Sequence, residues 1–377
     1  MKFAIMENVA SDGGHEIDFD RILVEELRAL GHEVEFYVPE GHRFKFDYHA
    51  PIHYLPGKGV SYDGAHGLKK LLLSARREYR RHGWYKEMYG AATKGKFDAI
   101  IFPSATYRYL RALTLTPLKD SPVPVLFLIH GLTPAEAKKL DEAAGKFKNK
   151  KNIRIGVQTF AAAKLNLRAK NLRVYAPPNY IPRDVTEDGR FAEGEVLRLG
   201  IFGQYRREKK VEDFIRAFLG GSYNRPVKLI VQGATTNRED AADFNGLIAK
   251  YKGEKSLEFW HKPLIGKDWQ EGLLATDAIV IPYGADRYLY HTSAIISNAM
   301  GVKRAIIAAD NVNPEILANY DIGCSFKHGD MADLKRAIED FVNGYEAKKE
   351  RYAAELMRAY EDFSPRKLAE NIVKLAE

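Results

Sequence analysis

The stretch "LRLGIFGQYRREKKVEDFIRAF", residues 197–218, joins an apolar run to a glycine, a cationic turn and a helical pattern. A short run rich in apolar residues, followed by apolar residues at helical spacing, is typical of a strand that leads into a helix. This stretch therefore predicts one half of a βαβ unit, from which parallel sheets are built.

The same alternation recurs through the chain. Predicted strands are "KFAIM", "EVEFYV", "DAIIF" and "VPVLFLI" in the first half, then "LRLGIF", "VKLIVQG", "LEFW", "DAIVIP" and "RAIIAAD". Helical patterns lie between them, and two further helices, parted by Phe363–Ser364–Pro365, close the chain. Because 377 residues exceed one ordinary core, the pattern predicts two Rossmann-like, doubly wound α/β domains with parallel sheets.

The predicted break lies in residues 176–195, which hold three prolines, two glycines and a polar, acidic run. We expect a first domain over 1–180, a linker over 181–195, a second domain over 196–360 and a C-terminal helix over 361–377 that packs on the first domain. Two such domains facing each other create a cleft at the carboxyl ends of both sheets, where ligands bind.

The net charge of +8 is unevenly distributed. Residues 1–180 hold 29 basic and 19 acidic residues, a net +10, so the remainder carries −2. The basic segment Gly67–Tyr89 fits an anionic membrane surface or a phosphorylated acceptor; a solvated helix face is the alternative. Nucleic acid is not an expected partner, since the chain has no helix-turn-helix, zinc-finger or RNP-like motif.

The sequence also bears on the cell compartment. A single cysteine, Cys324, excludes an intramolecular disulfide and a cysteine-based metal cluster. No apolar run reaches the ~18 residues of a membrane span, and the first residues lack the apolar core of a signal peptide. We therefore expect a cytoplasmic protein, which the basic segment would hold at the inner face of the membrane.

Three predicted strand-to-helix turns contain residues suited to a phosphate. They are Gly13–Gly14, the cationic turn with Arg206, Arg207 and Lys209, and Thr292–Ser293–Ala294. Glycine and alanine allow close backbone approach, and cations at a helix start oppose the helix dipole unless an anion joins them. An ordinary capped or solvated turn is the alternative at each. Neither a G-x-G-x-x-G fingerprint nor a P-loop occurs.

His130 ends the very apolar strand in "LFLIHGLTP". An imidazole at the carboxyl end of a parallel strand can donate a hydrogen bond or accept a proton from a ligand. A structural histidine whose hydrogen bonds stay within the fold is the alternative.

Six segments, taken in order, resemble the retaining, nucleotide-sugar-dependent GT-B glycosyltransferases of family 4. They are "GGHE", "LIHGLTP", "IGVQTFAAAKL", "VYAPPNYIP", "LGIFGQYRREKKVEDFIRAF" and "ADNVNPEIL". The resemblance runs over nearly the whole chain. It implies a GT-B fold, with C-terminal helices that cross back to the first domain.

The resemblance also implies roles for matching positions. The donor phosphates would contact Gly13, Gly14, Gln204, Arg206, Arg207, Lys209, Thr292, Ser293 and Ala294. Gln204 replaces the arginine of the family, for which Arg206 or Arg207 would substitute. The nucleoside would contact Lys262, Pro263, Leu264 and Asn298, and the transferred sugar would contact His130.

One departure concerns the two glutamates of the family, because "ADRYLYHTSAIISNAMG", residues 285–301, contains none. Asn298 stands in the place of the second glutamate. Counting back from Asn298 puts the first at Tyr290, whereas counting forward from Pro282 puts it at Asp286. We favour Asp286, because a loop tolerates insertions, and we expect a re-tooled rather than a dead site.

The implied activity is transfer of a sugar from a nucleotide-diphosphate sugar to a glycan, glycolipid or other hydroxyl acceptor, with retention, in cell-surface polysaccharide or glycoconjugate synthesis. The cations and helix starts would stabilise the departing diphosphate, so neither a metal nor another cofactor is expected. A non-catalytic relative that acts as a binding or partner subunit, and a nucleotide-sugar epimerase, are the alternatives.

Overall fold

The structure of the protein, a computed structural model, describes residues 1–7, 15–61, 66–180 and 195–377. The chain divides into two compact units, one of Met1–Pro177 with Pro365–Glu377 and one of Pro178–Ser364. Gly13, Gly14 and the predicted linker up to residue 194 lie outside the described residues. The domain limits set out above stay a prediction.

Strands and helices alternate along the described residues. The strands are β1 (Lys2–Met6), β2 (Glu33–Glu40), β3 (Ile52–Lys58), β4 (Ala99–Phe102), β5 (Val125–His130), β6 (Ile153–Gln158), β7 (Leu172–Tyr175), β8 (Leu197–Ile201), β9 (Val227–Gln232), β10 (Leu257–Trp260), β11 (Ala278–Ile281), β12 (Ala305–Ala309) and β13 (Gly323–Phe326). The helices are α1 (His15–Ala29), α2 (Gly67–Thr93), α3 (Tyr107–Leu113), α4 (Pro134–Gly145), α5 (Val211–Leu219), α6 (Arg238–Lys250), α7 (Lys267–Leu274), α8 (Ala294–Gly301), α9 (Pro314–Asn319), α10 (Met331–Asp362) and α11 (Pro365–Ala376).

Each unit is built on one parallel sheet. The first has the strand order β3-β2-β1-β4-β5-β6-β7 and the second the order β10-β9-β8-β11-β12-β13. The strand order reverses between β1 and β4 in the first sheet and between β8 and β11 in the second. Ligands of doubly wound sheets bind at the carboxyl ends of the strands beside such a reversal.

The predicted fold class, mixed α/β with two parallel Rossmann-like sheets, is confirmed. All nine predicted strands are present, and each end lies within two residues of its prediction. The central strands β4, β11 and β12 are buried at every residue, which explains their continuous apolar runs. Four strands were not predicted. β3 and β7 lie at the edges of the first sheet, where most of β3 and half of β7 are exposed. β13 is a four-residue edge strand, and an arginine and a glycine interrupt β6.

The last helix crosses back to the first unit, as the predicted fold class requires. Helix α10 packs on α5, α8, β12 and β13 within the second unit. Helix α11 then packs on α1, β5 and β6, and the Arg154 guanidinium donates a hydrogen bond to the Leu375 carbonyl at 2.7 Å. None of the described helices has both the length and the hydrophobicity that crossing a bilayer requires.

Candidate functional site

A cavity of about 460 Å³ opens at the switch point of the second sheet. Its wall consists of the loops that follow the neighbouring strands β8 and β11, with the lining residues Gln204, Arg206, Glu208, Lys209, Tyr283, Gly284, Ala285, Arg287 and Tyr288. Three of these side chains are cations and one is a carboxylate. The cavity is therefore suited to an anion, at the place where this topology binds ligands.

Lys209 lies on the β8 side of the cavity. It ends the 3₁₀ turn Arg207–Lys209, and Lys210 with φ 51° then leads into α5. The Lys209 ammonium donates a hydrogen bond to the Gln204 carbonyl at 2.6 Å and lies 4.6 Å from the centre of the Tyr283 ring. Burial, followed by the neighbouring Arg206 and Arg287, lowers the pKa of Lys209 to about 8. The negative charge of a bound diphosphate would offset the repulsion between this ammonium and the two arginines.

The two arginines of the cavity are held by its own lining. Arg206 donates to the Gln204 side chain at 3.2 Å and lies 3.5 Å from the Glu208 carboxylate. Arg287 donates to the Tyr288 hydroxyl at 2.8 Å, with its guanidinium 4.7 Å from the centre of that ring. Both guanidinium groups are exposed and so remain accessible to a ligand.

Arg207, which the sequence grouped with these cations, points elsewhere. Its guanidinium lies 3.2 Å from Asp243 and 3.8 Å from Glu239, both on α6. Asp243 also accepts a hydrogen bond from the Tyr205 hydroxyl at 2.6 Å. The structure therefore brings Gln204, Arg206 and Lys209 together at the cavity and sets Arg207 against α6.

The loop on the β11 side is held in place by the buried Asn313. Its backbone adopts the left-handed conformation, with φ 43°. Its side-chain amide donates to the carbonyls of Tyr288 and His291, each at 3.0 Å, and its oxygen accepts from the Ser293 backbone N–H at 2.8 Å. This single side chain thus fixes the loop that carries Arg287 and Tyr288. No local sequence pattern predicts this role.

The predicted second phosphate cradle lies at the start of α8. Ser293 occupies the N-cap position, but its side chain makes no capping hydrogen bond. The Thr292 hydroxyl is buried with no hydrogen-bond partner among the described residues, and the half-buried Ala294 begins the helix. Burial raises the pKa of the cavity-lining Tyr283, whose hydroxyl lies beside Ser293. The helix start is therefore next to the cavity wall.

The predicted nucleoside-binding residues Lys262, Pro263 and Leu264 follow β10, the strand next to β9. Gln232, at the carboxyl end of β9, accepts a hydrogen bond from the Gly203 N–H at 2.8 Å and donates one to the Lys262 carbonyl at 2.6 Å. This amide ties the turn after β8 to the segment after β10. Pro263, next in that segment, is exposed, and Leu264 is half-buried.

Asn298 is buried and satisfied within the protein. Its oxygen accepts a hydrogen bond from the Trp269 indole at 3.1 Å, and its amide donates to the Ala294 carbonyl at 2.9 Å. Asp286 is exposed at the start of the 3₁₀ turn Asp286–Leu289, between the lining residues Ala285 and Arg287. Of the two predicted replacements for the glutamates, Asp286 therefore lies beside the cavity, whereas Asn298 packs on α7.

His130 lies at the carboxyl end of β5 in the first unit. Its Nε2 is 2.6 Å from the Pro103 carbonyl, and its ring forms a T-shaped pair with Phe19 at 4.5 Å between ring centres. Beside Phe19, burial and the nearby Glu7 raise the pKa of Asp20 well above its usual value. The imidazole of His130 is thus oriented by contacts within the first unit.

Within residues 1–7, 15–61, 66–180 and 195–377, no group of three or more His, Cys, Asp or Glu is placed to hold a metal ion.

Comparison of structures identifies proteins of similar fold over the full length of the chain. HepE of Anabaena, solved with UDP, superimposes with a TM-score of 0.67 at 14% identity, covering 99% of both chains. A glycosyltransferase from Rickettsia africae gives 0.71 at 12% identity, covering 100% of this chain and 97% of its own. Sucrose-phosphate synthase of Thermosynechococcus elongatus gives 0.66 at 14%, covering 99% and 98%.

The chain has the GT-B fold. No protein-family model matches its sequence, and no curated protein matches it either. The GT-B assignment thus rests on the three-dimensional similarity, which persists where identity has fallen to 14% or less.

Six lining residues of the cavity were not predicted from the sequence, namely Glu208, Tyr283, Gly284, Ala285, Arg287 and Tyr288. Five of the six lie within seven residues after β11, and three of these, Ala285, Arg287 and Tyr288, belong to the segment without glutamates, residues 285–301. Their position after a strand beside the switch point was the available signal.

Proposed function

We propose that the protein is a glycosyltransferase that transfers a sugar from a nucleotide-diphosphate sugar to a hydroxyl acceptor, with retention. The observation that carries the proposal is the cavity at β8 and β11, whose wall brings together Arg206, Lys209 and Arg287. The similar HepE was solved with UDP and with UDP-glucose, which supports a nucleotide-sugar donor for this chain.

The chemistry follows from the charge that develops during transfer. Breaking the sugar–phosphate bond leaves negative charge on the departing diphosphate and positive charge on the sugar ring. Lys209 and the two arginines would stabilise the diphosphate, and the free N–H groups at the start of α8 would add to their effect. These groups are held before the donor arrives, so little reorganisation is needed at the moment of reaction.

The remaining roles are assigned by position. Asp286, exposed beside the cavity, would accept hydrogen bonds from sugar hydroxyls, and His130 would contact the transferred sugar. Lys262, Pro263 and Leu264 would lie along the base. Asn298 would have to break its hydrogen bond to Trp269 or to Ala294 before it could bind the ribose. We therefore propose that its main role is to position α8.

A panel of nucleotide-diphosphate sugars tests the proposal. We expect slow hydrolysis of at least one member without an acceptor, and faster release of the nucleoside diphosphate when a suitable carbohydrate or lipid-linked acceptor is present. Nuclear magnetic resonance of the product should show the anomeric configuration of the donor. Failure to turn over any donor, together with failure to bind any nucleoside diphosphate, would remove the proposal.

Metal independence belongs to the same proposal. Because protein cations face the diphosphate, turnover should persist after dialysis against EDTA and should not rise on addition of Mg²⁺ or Mn²⁺. A large loss with EDTA that a divalent metal restores would assign the charge stabilisation to a metal.

One observation favours a second candidate, a non-catalytic relative that binds a glycan or a partner. The residues at the two glutamate positions are an exposed aspartate and a buried, engaged asparagine. Calorimetry with nucleoside diphosphates separates the two candidates, because a pure partner-binding module should bind none. An epimerase would change the configuration of the donor sugar in the same panel without transferring it.

The acceptor and the location complete the proposal. We propose an acceptor in cell-surface polysaccharide or glycoconjugate synthesis, and a peripheral position at the inner face of the membrane. The support is the charge of residues 1–180, a net +10, which favours anionic surfaces and acceptors.

A further inference from the structure

The first half of α2 carries a row of exposed apolar side chains. Leu68, Leu71, Leu72 and Tyr79 are 73%, 65%, 64% and 75% exposed. Their spacings of three, four and seven residues put them on one face of the helix. We call these four residues the apolar stripe. Large side chains so exposed and so contiguous mark an interaction surface in an otherwise soluble protein.

The opposite face of the same helix is firmly packed. The Trp84 indole donates to the Pro56 carbonyl at 3.0 Å, and the Tyr85 hydroxyl donates to the Tyr109 carbonyl at 3.3 Å. The buried residues of the helix are Arg81, Trp84, Tyr85, Met88, Ala91 and Ala92, which at 3.6 residues per turn fall opposite the apolar stripe. The fold thus orients the stripe away from the sheet that α2 covers.

Positive charge borders the stripe on one side. Residues 67–86 contain seven Lys or Arg and a single carboxylate, Glu78, which pairs with the buried Arg81 at 2.7 Å. Lys69 and Arg76 are exposed along one border of the stripe. Lys86, also exposed, lies two turns beyond Tyr79 and in line with the stripe. An apolar centre with a cationic border matches the interface of an anionic bilayer, where acyl chains lie beneath phosphate groups.

We propose that the apolar stripe of α2 docks on an anionic lipid bilayer, with the three leucines entering the interface and the bordering cations contacting lipid phosphates. The cationic border favours an anionic bilayer over a second copy of this chain, because two copies that met through this face would bring like charges together. The proposal gives a residue-level surface to the peripheral location proposed above, and it does not depend on sugar transfer.

Co-sedimentation with lipid vesicles tests the docking surface. Wild-type protein should bind vesicles that contain phosphatidylglycerol and bind phosphatidylcholine vesicles far less. The triple variant Leu68→Gln, Leu71→Gln, Leu72→Gln should lose about tenfold or more in partitioning. Leu115→Gln is the matched control, because Leu115 is 79% exposed outside the stripe; its binding should equal that of wild type.

Two further variants separate charge from insertion. Lys69→Gln with Arg76→Gln should weaken binding to anionic vesicles about tenfold and should flatten its salt dependence. Leu72→Trp should add indole fluorescence that lipids brominated on the acyl chain quench. These substitutions change exposed side chains, so circular dichroism and the melting temperature should remain those of wild type.

Three outcomes would overturn the proposal. The first is absence of wild-type binding to phosphatidylglycerol vesicles, and the second is equal vesicle binding by the triple variant and wild type. The third is that wild type does not bind vesicles but self-associates, and that the triple variant does not self-associate. The last would make the stripe an interface between copies of the chain. Because vesicle binding needs no donor, its failure would leave the nucleotide-sugar test untouched, and the reverse also holds.

Discussion

Removing the Lys209 ammonium should weaken the binding of a nucleoside diphosphate. The variant Lys209→Met keeps an unbranched apolar side chain and removes the ammonium that lies over the Tyr283 ring at the cavity wall. A hydrogen bond between charged groups contributes about 1.5 to 3 kcal/mol, so the dissociation constant should rise about 10- to 100-fold. Lys228→Met, an exposed position near the start of β9, is the control for loss of one positive charge.

The lowered pKa of Lys209 gives this prediction a pH signature. With a pKa of about 8, the ammonium is protonated at neutral pH and loses its proton as the pH rises above 8. A bound diphosphate favours the protonated form, and the roughly 10- to 100-fold difference in affinity between the charged and uncharged side chain limits the effect of its titration. Wild-type affinity should therefore fall about 6- to 20-fold between pH 7.5 and 9.5. Lys209→Arg stays charged throughout that range and should show no such fall.

The stability of Lys209→Met provides an independent readout. Because the pKa of Lys209 is lowered in the folded state, its charged form destabilises the fold below pH 8, and this cost disappears as the pH rises toward the unfolded value. The methionine variant should therefore melt at a higher temperature than wild type at pH 7. Weaker binding in a more stable protein cannot be ascribed to unfolding.

Isothermal titration calorimetry from pH 7.5 to 9.5 is the assay, with wild type and the three variants measured side by side. The ratio of wild type to Lys209→Met at each pH cancels any titration of the ligand itself. Equal affinity in wild type and Lys209→Met, or a wild-type affinity independent of pH, would refute the placement of the diphosphate beside Lys209.

Three further predictions address the fold, the loop and the sugar. Gly323→Ala should lower the free energy of unfolding by about 1 to 3 kcal/mol, because a Cβ there would lie 1.9 Å from the Ile306 carbonyl oxygen. Denaturant titration measures this change, and unchanged stability would contradict the close pairing of β12 with β13. Asn313→Gly keeps the left-handed backbone but removes three hydrogen bonds, so nucleoside diphosphate binding should weaken about tenfold; calorimetry showing wild-type affinity would exclude the positioning role. His130→Ala should lower turnover about tenfold or more while leaving nucleoside diphosphate affinity unchanged; steady-state kinetics equal to wild type would remove His130 from the sugar site.

Much of the fold was predictable because burial leaves a direct pattern in the sequence. Strands such as β11 and β12 are buried on both faces and appear as continuous apolar runs. Edge strands give no such pattern. In β3, the exposed positions and the sequence "PG" conceal a strand, since its pairing with β2 depends on a partner outside the local sequence.

The candidate site was predictable only where strand, turn and helix start coincide along the chain. Lys209 and Arg206 were found in this way, because the cationic turn follows a strand directly. The role of Asn313 depends on contacts to residues 20 to 25 positions earlier, and the orientation of Arg207 depends on Asp243, 36 positions later. Local patterns contain no information on such pairings.

A crystal structure determined with the nucleoside diphosphate that binds most tightly tests the location of the donor site most directly. The diphosphate should lie in the cavity at the carboxyl ends of β8 and β11, with its oxygens within hydrogen-bond distance of the Lys209 ammonium. A diphosphate bound elsewhere on the chain, with this cavity empty, would contradict this placement.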